Sequence, residues 1–156
     1  MALRKILTDK EPALHKTCKP VTAFDKKLHT LLDDMRETLI DSGGVGLAAP
    51  QVGILRRVVL VDTGEEILEL VNPEMLSTDG EQEGPEGCLS VPGKYGLVKR
   101  PYYATVRAQD RDGNWFEVQG EELIARCFCH ELDHLDGILY TQQMERVLTD
   151  KELEQY

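Results

Sequence analysis

His130 and His134 stand four residues apart inside a stretch of helical apolar spacing, and this pairing constrains the fold more than any other feature of the chain. Residues 121–137, EELIARCFCHELDHLDG, begin with acids, carry periodic apolar side chains and end on glycine, which together predict a helix. At about 100° per residue, side chains four apart leave a helix on nearly the same side, so both imidazoles can share one ion. Glu131 follows His130 directly. Its carboxylate lies beside such an ion but is poorly placed to ligate it together with both histidines, and it can reach a water instead. In this H-E-x-x-H pattern the acid serves as a base on water whose pKa the metal lowers to near ~7. Leu123, Ile124, Cys127, Phe128, Leu132 and Leu135 make the helix apolar over much of its circumference, so it is expected to be buried. Buried histidine and glutamate need partners, and a metal serves all three.

A tetrahedral catalytic site takes three protein ligands and keeps one position open. No histidine follows His134, which leaves Asp136, Glu145 and Asp150 as carboxylate candidates and Cys88 as their competitor. Cys88 sits in EGPEGCLSVPG, residues 83–93, where glycines and prolines predict an irregular loop whose thiol is free to turn toward an ion. Cys127, one turn before the histidines, is expected to line the site without ligating. Glu86 is either a solvated loop acid or a partner for Arg100.

Elsewhere, residues 22–44 place Leu28, Leu31, Leu32, Met35 and Leu39 at helical spacing, with Thr22 and Asp25 at capping-box spacing and Gly43 or Gly44 to end the helix. RRVVLVD and EILELVNP read as strands, with Val58, Leu60, Ile67 and Val71 predicted to be buried. GLVKRPYYATVRAQD and NWFEVQG form a predicted antiparallel pair across Asp112 and Gly113. The tail from Glu145 either frays or forms a short helix. Strands followed by a buried helix imply an α+β domain, with antiparallel sheets packed around the metal-binding helix. A chain of 156 residues fits a single catalytic domain, 1–156, able to bury ~70% of its unfolded surface without disulfides. Its four cysteines are expected to be reduced thiols. A net charge of −10 without a basic stripe argues against nonspecific binding to nucleic acid or anionic lipid. No leader-like or membrane-crossing apolar run is present in the sequence.

Three blocks, GVGLAAPQ (residues 44–51), EGCLS (residues 86–90) and HELDH (residues 130–134), resemble in order and approximate spacing those of the peptide deformylases. The likeness also runs through NPE after a strand and LDG after the metal helix. It implies removal of the formyl group from N-terminal formyl-methionine of new polypeptides, with release of formate. It implies Cys88, His130 and His134 as ligands of one divalent ion, most often Fe(II), with Zn(II), Ni(II) or Co(II) able to replace it. Glu131 then acts as general acid and base, while Gln51 and the backbone N–H of Leu89 act on the formyl oxygen. Val45 and Gly46 would lie along the substrate backbone, with Glu86, Gly87 and Cys127 completing its site. The implied partners are formyl-methionyl peptides or nascent chains in the cytoplasm or an organelle, with transient ribosome contact and no membrane. Many members continue past the metal helix into a longer C-terminal helix, and the acidic stretch TDKELEQY here is expected to offer little to RNA. Two other readings stand beside this one. A zinc endopeptidase would use a downstream carboxylate, and a noncatalytic binding module would keep the metal for structure but would need neither Glu131 nor Gln51.

Overall fold

Strand β2 (Val58–Asp62) explains the architecture, because its first four residues are all buried although alternate residues point to opposite faces. A continuous VVLV run is what a strand covered on both sides requires. The computed structural model describes residues 2–156. In it β2 lies second in a five-stranded antiparallel sheet of order β1-β2-β3-β6-β7, with β1 Gly46–Ala48, β3 Ile67–Asp79, β6 Tyr103–Gln109 and β7 Trp115–Glu121. On one face Val58, Leu60 and Val71 meet Leu28, Leu31, Leu32, Met35 and Leu39 of helix α1 (Lys26–Ser42). On the other, Val59, Val61 and Leu70 meet Ala125, Cys127, Phe128 and Leu135 of helix α2 (Leu123–Leu135). Full burial of each Leu or Met in these clusters contributes about 1.5–3 kcal/mol. Ile67 stays at the margin, half-buried.

The predicted elements are present, with corrections at their ends. Asp25 alone caps α1, its carboxylate accepting from the Leu28 N–H at 3.1 Å, so Thr22 lies outside the cap. Gly43 closes the helix at φ 70, returning its N–H to Leu39 and Ile40. Asp112 and Gly113 do lie in the β6–β7 turn, but the strand entering it begins only at Tyr103. Residues 97–100 belong instead to β5 (Val91–Arg100), because Pro101 has no N–H to continue a ladder. Leu123 is 56% exposed rather than buried, so the apolar circumference of α2 is incomplete at its first turn.

The largest departure is residues 83–93. Instead of an irregular loop, β4 (Gln82–Cys88) and β5 form a two-stranded antiparallel sheet turning at Leu89 and Ser90. Pro85 and the glycines hid a strand that needs few ladder donors, since it has only one neighbour. Residues 145–148 run along β5, with Leu97 N–H donating to the Arg146 carbonyl at 2.9 Å and Leu148 N–H to the Tyr95 carbonyl at 2.8 Å. The tail then forms a short helix, α3 (Asp150–Leu153), capped by Thr149. No helix among the described residues is long and apolar enough to cross a membrane.

Candidate metal centre

The β4–β5 hairpin lies against α2 so that strand and helix repeats coincide. Alternate residues of a strand are about 6.6–6.8 Å apart and every fourth residue of a helix about 6 Å apart. Gly84, Glu86 and Cys88 therefore face Arg126, His130 and His134 in step. An added Cβ at Gly84 would touch the Arg126 Nη2 at 3.6 Å. Glu86 Oε2 lies 2.7 Å from His130 Nδ1, and Cys88 Sγ lies 3.3 Å from His134 Nε2.

His130 Nε2 is 3.2 Å from His134 Nε2, and the three ligand atoms of Cys88, His130 and His134 lie within 4.8 Å of one another. A tetrahedral ion with S and N ligands at about 2.3 and 2.0–2.1 Å needs donor atoms spaced by roughly 3.3–3.6 Å, so the three side chains fit one cation. Glu86 fixes the His130 ring by taking Nδ1, which leaves Nε2 for the ion. Burial holds the His134 imidazole well below its ordinary range, in the neutral form that ligates. The His134 Nδ1 has no hydrogen-bond partner among the described residues. The downstream carboxylates weighed as third ligand are engaged elsewhere or stand apart. Asp136 pairs with Arg57 at 3.0 Å and Glu145 with Lys99 at 3.5 Å, while Asp150 opens α3 at the surface.

Glu131 is 3% exposed, with Oε2 4.0 Å from His130 Nε2 and Oε1 buried without a partner. Burial pushes its carboxyl up to about 7, with His130 opposing and the Glu86 charge adding to the rise. The side chain fits there because β1 passes close: a Cβ on Gly46 would stand 2.6 Å from Glu131 Oε2 and 2.7 Å from Cys127 Sγ. Glu131 and Cys127 open on a cavity of about 500 Å³ whose walls also include Val45, Gly46, Gln51 and Leu89. Gln51, in a 3₁₀ turn (Ala49–Val52), is 1% exposed and held at both ends of its amide. Oε1 accepts from the Ala48 N–H at 2.9 Å, while Nε2 donates to Ser90 Oγ at 3.1 Å and lies 3.7 Å from Cys88 Sγ. The Leu89 side chain lies over Gly44, where an added Cβ would come within 2.8 Å, and the Tyr95 ring lies over Gly87.

Glu86 is not a solvated loop acid. Arg100 binds it bidentately at 3.0 and 2.7 Å, Arg126 donates to Oε1 at 3.0 Å, and His130 takes Oε2. With both oxygens engaged, its part is to position His130 and the hairpin, although its residue borders the cavity. Arg100 also reaches Asp133 at 2.8 Å. Removing this 4%-exposed guanidinium by Arg100→Met leaves half-buried Asp133 without its arginine partner and strips the buried Glu86 of one of its two arginine counter-charges. The expected cost is about 3 kcal/mol, a fall in Tm of roughly 6–12 °C by calorimetry; an unchanged Tm contradicts the assignment. Sequence reasoning assigned no role to Ser90, Arg126 or Asp133. The available signals were the serine inside EGCLS and a lone arginine within the apolar half-turns of α2.

A family model described as polypeptide deformylase matches residues 3–149. The chain is 55% identical over 150 residues to a peptide deformylase of Agathobacter rectalis, covering 96% of this chain and 95% of the relative. It is 53% identical over 154 residues to that of Caldanaerobacter subterraneus subsp. tengcongensis, covering 99% and 97%. Its fold is similar to the crystal structure of a peptide deformylase from Legionella pneumophila, with a TM-score of 0.88, 44% identity and coverage of 98% of this chain and 90% of that one.

Proposed function

The chain belongs to the polypeptide deformylase family, metal-dependent hydrolases that remove the N-formyl group from nascent peptides, and from that premise we propose how its own residues divide the work. Cys88, His130 and His134 hold one divalent ion, Glu131 moves the proton, and Gln51 with the Leu89 backbone N–H receives the charge that develops on the formyl oxygen. The observation that carries this reading is the buried, unpartnered Glu131 Oε1 next to three converging ligand atoms at the wall of an open cavity. When bound, the ion supplies Lewis acidity and lowers the pKa of water to about 7. Fe(II) is the proposed native ion, with Zn(II), Ni(II) or Co(II) as replacements, since one thiolate and two imidazoles suit them all.

The formyl peptide lies along β1, which has only β2 as neighbour and so offers a free edge for strand addition at Val45 and Gly46. Glu131 takes a proton from the water that attacks the formyl carbon. Gln51 Nε2 and the Leu89 N–H donate to the resulting oxyanion, each such preorganised donor being worth about 3 kcal/mol. Glu131 then gives its proton to the departing amine, and formate and a free N-terminus are released. Placing Glu131 depends on Gly46. Gly46→Ala forces the carboxylate to shift and is expected to lower kcat/KM about 100-fold while metal content is retained, as steady-state kinetics with elemental analysis will read out.

The whole chain acts as one catalytic domain, in the cytoplasm, on formyl-methionyl peptides or nascent chains met at the ribosome. Formate release from formyl-Met peptides, with the protein loaded anaerobically with iron or with zinc, tests the reading; release is expected, and none under either loading overturns it. The arrangement does not favour an endopeptidase, whose carboxylate ligand has no counterpart in the cluster.

A further inference from the structure

Ser90 is a buried polar residue that the steps above leave without a part. It follows Leu89 in the turn between β4 and β5, fully buried behind the cavity wall that Gln51, Cys88 and Leu89 form. Its backbone N–H donates to Cys88 Sγ at 3.4 Å, its carbonyl accepts from the Asp9 N–H at 2.8 Å, and its hydroxyl oxygen accepts from Gln51 Nε2 at 3.1 Å. The same N-terminal segment holds Gln51, whose backbone carbonyl accepts from the Leu7 N–H at 2.7 Å. One stretch of chain, residues 7–9, therefore fixes both backbones, and the bond from amide to hydroxyl lies inside a frame that does not depend on it.

The Gln51 carboxamide carries two N–H donors and one carbonyl oxygen. The Ala48 N–H binds that oxygen at 2.9 Å, which settles the sense of the amide, since a flipped group would set donor against donor there. It does not settle the tilt of the group about its last torsion, which is intrinsically broad. Ser90 does so. With one N–H on the hydroxyl, the other is directed toward Cys88 Sγ, 3.7 Å away, on the side where the three ligand atoms converge. Without the hydroxyl, a buried donor loses its acceptor, and an unpaired buried donor is costly. The amide then turns to recover a partner, and the Cys88 sulfur is within reach. An N–H spent on sulfur is lost to an oxyanion.

We propose that Ser90 is a positioning residue whose hydroxyl oxygen takes one N–H of Gln51 so that the other is aimed at the formyl oxygen as charge develops on it. The inference rests on the deformylase reading, in which Gln51 Nε2 is an oxyanion donor, and adds to it the group that orients this donor. A preorganised donor acts on the transition state more than on the bound substrate, so its loss falls on kcat. Ser90→Ala removes only the hydroxyl. The backbone bonds to Cys88 Sγ and from Asp9 remain, and with them the turn that carries the Leu89 N–H.

The test is a double-mutant cycle on the zinc-loaded protein with Ser90→Ala, Gln51→Ala and the two combined, read as kcat and KM for a formyl-Met peptide and as zinc content. Gln51→Ala is expected to lower kcat about 100-fold. Ser90→Ala is expected to lower kcat about tenfold, with KM within about twofold of the wild type and zinc retained. Added to Gln51→Ala it costs less than about twofold more, because no amide is left to orient. NMR of the Gln51 side-chain amide, identified by its absence from Gln51→Ala, gives a reading independent of turnover. Two separate N–H signals protected from exchange are expected in the wild type, and loss of that protection in Ser90→Ala. A fall in kcat of less than about threefold, a loss carried by KM or by zinc content, or an equal cost in both backgrounds overturns the proposal. Should Ser90→Ala not fold, the wild-type amide decides, and rapid exchange of both its N–H groups overturns the proposal. Absence of formate from the wild type is a different result, which removes the deformylase reading, whereas full activity of Gln51→Ala removes only the role of Gln51; either takes this inference with it.

Discussion

Glu131→Gln will lower kcat/KM for formyl-Met peptides by about 10²–10⁴-fold while the protein still binds its ion. Glutamine has nearly the same shape, so it can occupy the space that Gly46 leaves beside Cys127 and keep an acceptor there. It cannot take up a proton and hand it on. The wild-type carboxyl, pushed up to about 7 by burial, is a base matched to neutral pH, and the positive charge of an ion beside it draws the value lower again. Because the ionised form is the one that accepts the proton, the rate of the wild type falls as pH drops through that titration. The corresponding acid limb disappears in Glu131→Gln. Metal analysis, a pH profile and steady-state kinetics on both proteins decide the matter; a variant within tenfold of wild type, or one that has lost its ion, removes Glu131 from the role of proton carrier.

Cys88→Ala is expected to abolish tight metal binding and to reduce kcat/KM by at least about 10³-fold. Two imidazoles would remain, one donor short of the three that a tetrahedral catalytic site takes from the protein. Other residues cannot substitute easily, since Cys127 opens on the cavity without belonging to the ligand cluster and the downstream acids lie apart. Dialysis against a chelator followed by elemental analysis gives the metal content. The melting curves of the two metal-free proteins separate ligand loss from unfolding, because the thiol's own packing is modest. A metal-replete, active Cys88→Ala protein would show that the hairpin sulfur is not a ligand.

These two substitutions also divide the molecule into what could be read along the chain and what could not. Helix α1, strand β2, the β6–β7 turn and helix α2 were legible because each depends on a repeat of two or of 3.6 residues within one segment. The β4 strand was not, because Gly84, Pro85 and Gly87 mimic a loop while the contacts that straighten it come from β5 and α2. Glu86 shows the same limit at the level of one side chain. Its pairing with Arg100 was one of two readings along the chain, and its bonds to Arg126 and His130 come from a helix 40 and 44 residues away.

The histidine pair and the acid beside it were set by the sequence itself, since the pitch of a helix puts residues four apart on one face wherever that helix is placed. The approach of Cys88 to the two histidines and the fixed amide of Gln51 were decided by tertiary structure. Cys88 and His134 are 46 residues apart, and only the stepwise fit of alternate strand residues against every fourth helix residue brings sulfur and imidazole to 3.3 Å. Spacing along a chain encodes direction within one element, while the distance between elements depends on how their faces pack.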